Sequence, residues 1–124
     1  MKLLDSNILI YSLNPEYGFL KEIVFNKNNA VSVITQIEVL GFHKISEQEK
    51  LYFEFIFSQL HILDLQHQIV QRAIELKQSK KMELPDATIA ATALFYDLQL
   101  ITRNTKDYIH IPDLNITNPI DINT

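Results

Sequence analysis

Short apolar runs alternate along this chain with longer stretches whose apolar positions recur at helical spacing. Lys2 to Asp5 is such a run, closed by Asp-Ser-Asn. It predicts a buried strand that stops at a polar turn and opens a helix. Pro15 to Asn29 mixes Phe19, Leu20, Ile23, Val24 and Phe25 with charged residues, the pattern of a surface helix. Ala30 to Val33 predicts a second strand, and Ile34 to Phe42 a helix that turns Ile34, Ile37 and Val39 or Leu40 inward. Ser46 and Glu49 carry a capping-box signature ahead of a helix reaching Leu60. His61 to Leu65 reads as a third strand and Gln66 to Lys80 as a helix. Pro85 stands at the first position of an alanine-rich helix, Asp86 to Leu98. Leu100 to Thr102 and the shorter Leu114 to Thr117 complete the strands. Strands that alternate with helices define an α/β class with a mostly parallel sheet.

A length of 124 residues fits a single domain, residues 1-124. Hydrophobic residues make up 47% and charged residues 21%, which is enough apolar matter for a core and excludes a disordered chain. Cysteine is absent, which removes a disulfide framework, thiolate zinc sites and a cysteine nucleophile, and suits a cytoplasmic setting. The formal net charge of -4 excludes a basic coat for non-specific nucleic-acid binding. It leaves room for a nucleic-acid enzyme that works through a local rim or bound metal ions. No apolar run reaches the ~18 residues of a membrane span and no signal-peptide pattern opens the chain, so no membrane partner is expected.

Candidate chemistry lies with carboxylates at element ends, because α/β proteins bind ligands at the carboxyl ends of their strands. Asp5 closes the first strand, Glu38 rides the helix after the second, Asp86 opens the alanine-rich helix, and Asp107 follows the fourth strand in Arg103-Asn104-Thr105-Lys106-Asp107. Taken singly, each has an ordinary structural role as cap, dipole partner or solvated charge. Together they fall on one expected edge. Crowded carboxylates repel and raise one another's pKa, so such a cluster calls for a cation, and oxygen-only donors suit Mg²⁺ or Mn²⁺.

Four segments carry a family likeness: Leu3-Leu4-Asp5-Ser6-Asn7-Ile8-Leu9, Ser32-Val33-Ile34-Thr35-Gln36-Ile37-Glu38, Leu84-Pro85-Asp86-Ala87-Thr88-Ile89-Ala90-Ala91-Thr92-Ala93, and Leu100-Ile101-Thr102-Arg103-Asn104-Thr105-Lys106-Asp107-Tyr108. In this order the chain resembles a PIN-domain protein, most closely the VapC-type toxins of bacterial toxin–antitoxin pairs. The resemblance implies a three-layer sandwich with a central, mostly parallel sheet of about four to five strands flanked by helices. It implies a metal-dependent endoribonuclease that uses Mg²⁺ or Mn²⁺, is held by a cognate antitoxin protein, and forms a homodimer. Asp5, Glu38, Asp86 and Asp107 are the metal and catalytic candidates. Ser6, Asn7, Thr35 and Thr102 are candidates to orient carboxylates, Arg103 to face an RNA phosphate, and Asn104 to offer its amide oxygen. One departure stands out: many relatives have aspartate where Asn104 stands, and the nearest acid here is Asp107. That departure supports the alternative of a catalytically weak or inactive PIN-like module that binds a protein or RNA. The aromatics of Leu51 to Leu60 cannot all face one core, so the Phe42 to Leu60 region is expected to contribute a partner surface.

Overall fold

The computed structural model describes residues 1–122. Five strands, β1 (Lys2–Leu4), β2 (Ala30–Ser32), β3 (His61–Leu63), β4 (Gln99–Ile101) and β5 (Ile116–Thr117), form one sheet in the order β3-β2-β1-β4-β5. Every pairing is parallel. The helices are α1 (Ser6–Tyr11), α2 (Lys21–Val24), α3 (Val33–Leu40), α4 (Glu47–Gln59), α5 (His67–Ser79), α6 (Leu84–Tyr96) and α7 (Pro119–Ile122).

Side-chain alternation along the short strands separates two cores. Leu4, Val31 and Ile101 face Ile8, Leu9, Val39, Phe53, Ile56 and Phe57. Their immediate neighbours Leu3, Ala30 and Leu100 face Ile69, Ala73, Ala87, Ile89, Ala90 and Tyr108 on the opposite side. These two apolar layers around an all-parallel sheet make the three-layer α/β architecture expected from the sequence. The small side chains of Ala87, Ala90, Ala91 and Ala93 are all buried, so α6 packs closely against its neighbours.

The strands and the capping box lie where the sequence placed them, with strand ends shifted by a residue or two. Ser46 Oγ accepts from the Glu49 N–H at 3.1 Å, and Glu49 returns the bond to the Ser46 N–H at 2.9 Å. Three expectations are corrected. Pro15 to Asn29 is not one helix: a 3₁₀ segment, Pro15–Leu20, kinks at Tyr17 before α2, and an Asn-rich turn follows. Gly18 weakens any helix through this stretch, and Asn26 caps its own turn by accepting from the Asn28 N–H. Ile37 is 64% exposed rather than inward. Helix α6 begins at Leu84, which makes Pro85 its second residue, and it ends at Tyr96, capped by Asp97 in the left-handed region with φ 53°.

Candidate functional site

The winding of the sheet reverses between β1 and β4, and open α/β sheets bind ligands outside the carboxyl ends of their strands at such a point. Asp5 and Thr102 stand there. Leu4 pairs with Ile101, so the next residue of each strand lies beside the other. Asp5 is the N-cap of α1, and its Oδ1 accepts from the Ser6 N–H at 2.8 Å. Its Oδ2 accepts from Thr102 Oγ1 at 2.8 Å, from the Tyr108 hydroxyl at 2.9 Å and from Asn7 Nδ2 at 3.4 Å. The residue is only 5% exposed.

Asp86 lies in the first turn of α6, half-buried, with its Oδ1 3.2 Å from the same Tyr108 hydroxyl. A hydroxyl carries one proton, so Tyr108 serves one carboxylate at a time. Burial raises the Asp5 pKa above the ordinary carboxylate value; its hydrogen bonds oppose this, and the Glu38 charge adds to it. Asp86 is raised too, first by burial and then by the charge of Asp5, with Asp107 and Glu83 contributing. Burial and the two acids together push the Tyr108 phenol upward, so it remains a proton donor.

The other predicted residues surround this pair. Glu38 is exposed on α3, and Ser6 Oγ donates to its Oε1 at 2.6 Å. Ser6 Oγ also lies 3.1 Å from the buried Thr35 Oγ1. Glu38 is thus joined to the Asp5 turn through Ser6. Asp107 ends a 3₁₀ turn, Thr105–Asp107, and is exposed. It lines a cavity of about 270 Å³ with Asp86, Lys80, Lys81, Lys106 and His110. Asn104 is exposed; its backbone N–H donates to Thr102 Oγ1 at 3.1 Å, and its side chain makes no hydrogen bond among the described residues. The Arg103 N–H donates to Asn7 Oδ1 at 3.1 Å, and its guanidinium lies over the rings of Tyr11 and Tyr17, 5.0 and 5.8 Å from their centroids.

The structure therefore brings Asp5 and Asp86 into one hydrogen-bonded group, ties Glu38 to it through Ser6, and leaves Asp107 on the cavity wall. Among the described residues no three acids or histidines are gathered tightly enough to hold an ion as they stand. The donor set nonetheless fits a hard divalent cation. Its donors are all oxygens, and both carboxyls are raised in pKa. No Lys or Arg forms an ion pair with them among the described residues. Mg²⁺ is commonly held by one or two carboxylates with water completing its shell.

Sequence reasoning missed Tyr108 as a site residue. The available signal was an aromatic with a polar head directly after an acid, in the loop beyond the fourth strand. A buried tyrosine hydroxyl needs a partner. Lys80, Lys81 and His110 line the cavity beside Asp86 as well.

An all-parallel, doubly wound sheet with two acids converging at its switch point defines an α/β protein with an acidic, oxygen-lined site. The sequence matches the PIN domain family over residues 2–113, and the chain belongs to that family. Among characterised relatives, Ribonuclease VapC2 of Rickettsia felis is 27% identical over 128 residues, spanning 94% of this chain and 96% of its own. Among solved structures, the chain is similar to a toxin–antitoxin complex from Klebsiella pneumoniae, with 34% identity, a TM-score of 0.79, and coverage of 96% of this chain and 98% of that one. It is also similar to VapBC2 from Rickettsia felis bound to a DNA fragment from their promoter, with 26% identity, a TM-score of 0.76, and coverage of 94% and 97%.

Proposed function

We propose that this chain, acting as one PIN domain over residues 1–124, is a metal-dependent endoribonuclease and the toxin of a toxin–antitoxin pair. The observation that carries the reading is the convergence of Asp5 and Asp86 on one hydroxyl at the sheet's switch point, within a fold shared with a named ribonuclease and with toxin–antitoxin complexes. VapC ribonucleases of the PIN family are metal-dependent as a class. In our reading the ion is Mg²⁺ or Mn²⁺, and Asp5 and Asp86 are its principal ligands. Such an ion, when bound, supplies charge neutralisation at a phosphodiester and activation of water.

The protein's own residues supply orientation. Ser6, Thr102 and Tyr108 fix the Asp5 carboxylate by hydrogen bonds, as groups behind a ligand do. In this reading Glu38, held by Ser6, accepts a proton through water, and Asp107 adds negative charge on the cavity side. Arg103, with its guanidinium against two tyrosine rings and no carboxylate partner among the described residues, is free to meet an RNA phosphate. Lys80, Lys81 and Lys106 give the acidic site a local basic rim despite the net charge of -4. The protein partner in this reading is a cognate antitoxin, and the toxin itself is a homodimer. No helix among the described residues is long and apolar enough to cross a membrane, and we place the protein's action in the cytoplasm.

The test is cleavage of total RNA by purified, antitoxin-free protein with Mg²⁺ or Mn²⁺ against EDTA, with Asp86→Asn alongside. Discrete metal-dependent fragments, absent with the variant, are expected. A folded protein that neither cleaves RNA nor binds Mn²⁺ overturns the reading in favour of a non-catalytic binding module.

A further inference from the structure

We propose that Tyr108 is a positioning residue for the acidic pair: its hydroxyl holds the Asp86 carboxylate toward Asp5, in the orientation in which the two take a divalent cation. The inference rests on the reading of these acids as cation ligands.

The position of the hydroxyl is set by the core and not by the acids. Tyr108 is 1% exposed, and its ring belongs to the apolar cluster that contains Leu3, Ala87, Leu100 and Ile111. Buried in this way, the phenol hydroxyl has two carboxylates within reach as acceptors for its proton, 2.9 and 3.2 Å away. The two acids depend on it unequally. Asp5 keeps Ser6, Thr102 and Asn7 as donors if Tyr108 is lost. The Asp86 side chain has no other hydrogen bond among the described residues. It is half-buried beside the charge of Asp5, so repulsion favours its rotation toward solvent once the tie is cut. The hydroxyl takes only Oδ1 of Asp86 and leaves Oδ2 open, which makes it a guide and not an obstruction. Phenylalanine would fill the same core volume without the hydroxyl, so the structural and positioning roles of the residue separate.

The experiment is calorimetric titration of the RNA-free native protein, Tyr108→Phe and Asp86→Ala with Mn²⁺, each shown folded by circular dichroism. Groups that hydrogen-bond metal-ligating carboxylates typically govern 10- to 100-fold in affinity, so Tyr108→Phe is expected to bind Mn²⁺ about 10-fold more weakly, and Asp86→Ala to lose binding. A purely structural role would lower the unfolding midpoint and leave Mn²⁺ affinity unchanged. Affinity retained within about 2-fold in folded Tyr108→Phe overturns the inference and leaves the cation site standing. Absence of Mn²⁺ binding by the native protein overturns both. If Tyr108→Phe does not fold, fluorotyrosine-labelled native protein answers the question. The resonance best protected from a soluble paramagnetic agent, that of the deeply buried Tyr108, is expected to shift on adding Mg²⁺. An unmoved resonance overturns the inference.

Discussion

Thr102 donates its hydroxyl proton to Asp5 Oδ2 at 2.8 Å across 97 residues of sequence. The bond follows from parallel pairing: β1 and β4 run in register through Leu4 and Ile101, and the first residue beyond each strand inherits that alignment. Thr102 is fully buried, and its oxygen also accepts from the Asn104 N–H. Valine has the same shape without either capacity. Thr102→Val is expected to cost about 1–3 kcal/mol, because it leaves a buried acceptor and a backbone donor short of partners. Thr102→Ser, which keeps the hydroxyl, should recover most of the loss. Urea unfolding of both variants at constant m-value measures the difference.

A second prediction concerns Asp86 and pH. Its carboxyl is raised above the ordinary value of 3.8 by burial and by the charge of Asp5. Between that value and the raised one, the folded state holds a proton that the unfolded chain has released. Stability from this group is therefore fully present below the ordinary value and is lost as pH rises through the folded one. Once ionised in the metal-free protein, the Asp86 carboxylate is disfavoured by burial and by the charge of Asp5. Asp86→Asn should raise its melting temperature at pH 7, and the advantage should shrink on acidification toward pH 4. Divalent cation should stabilise the native protein and not the variant. Thermal unfolding in EDTA and in Mn²⁺ across that pH range reads both effects. An Asp86→Asn variant less stable than native at pH 7 in EDTA would contradict the assignment of cause.

Much of this candidate site was legible because its parts lie at element ends, where polar residues interrupt apolar runs. Asp5 after Leu3-Leu4 and Asp86 after Leu84-Pro85 declare themselves in this way, and so do the strands behind them. Pairwise distance was not legible. Glu38 and Asp107 share the expected edge, yet one is exposed on α3 and tied in through Ser6, and the other stands on an exposed turn. Linear spacing sets an element and its face but not the last few ångströms of a side chain. Tyr108 was hidden for a related reason: an aromatic in a loop reads as core, and only the fold reveals where its hydroxyl points. The Pro15 to Asn29 helix failed because apolar spacing outvoted Gly18 and the Asn-rich turn, which control the backbone there.

Arg103 furnishes a third prediction. Its guanidinium is flanked by Tyr11 and Tyr17, themselves in edge contact at 5.5 Å, and its backbone is held by Asn7 and Asn118. A stacked guanidinium keeps its in-plane N–H donors free for phosphate. Arg103→Ala in an Asp86→Asn background should weaken binding of a single-stranded RNA by about 1 kcal/mol, near five-fold in Kd, and flatten its salt dependence. Arg103→Lys keeps the charge but not the fork or the stack, and should recover only part of the affinity. Equal affinity of the Asp86→Asn protein with and without Arg103→Ala at low salt would remove this residue from the RNA path.

The last prediction tests the partner surface. Helix α4 buries Phe53, Ile56 and Phe57 against the sheet but leaves Leu51 and Phe55 exposed, with Phe42 exposed just before it. Phe55 touches Phe25 at a centroid distance of 6.0 Å, so the apolar surface continues onto the segment after α2. Exposed aromatics grouped in this way are typical anchors of protein interfaces. Leu51→Glu and Phe55→Glu change solvent-facing positions and should shift folding stability by no more than about 0.5 kcal/mol. If these residues anchor the cognate antitoxin, the same substitutions should cost about 2 kcal/mol or more in the complex, roughly 30-fold in affinity. RNA cleavage by the free protein should be unaffected, because neither residue adjoins Asp5 or Asp86. Co-purification with the antitoxin, followed by titration of the purified proteins, gives both numbers. Undiminished antitoxin affinity with loss of the homodimer would reassign this face to contact between two copies of the chain.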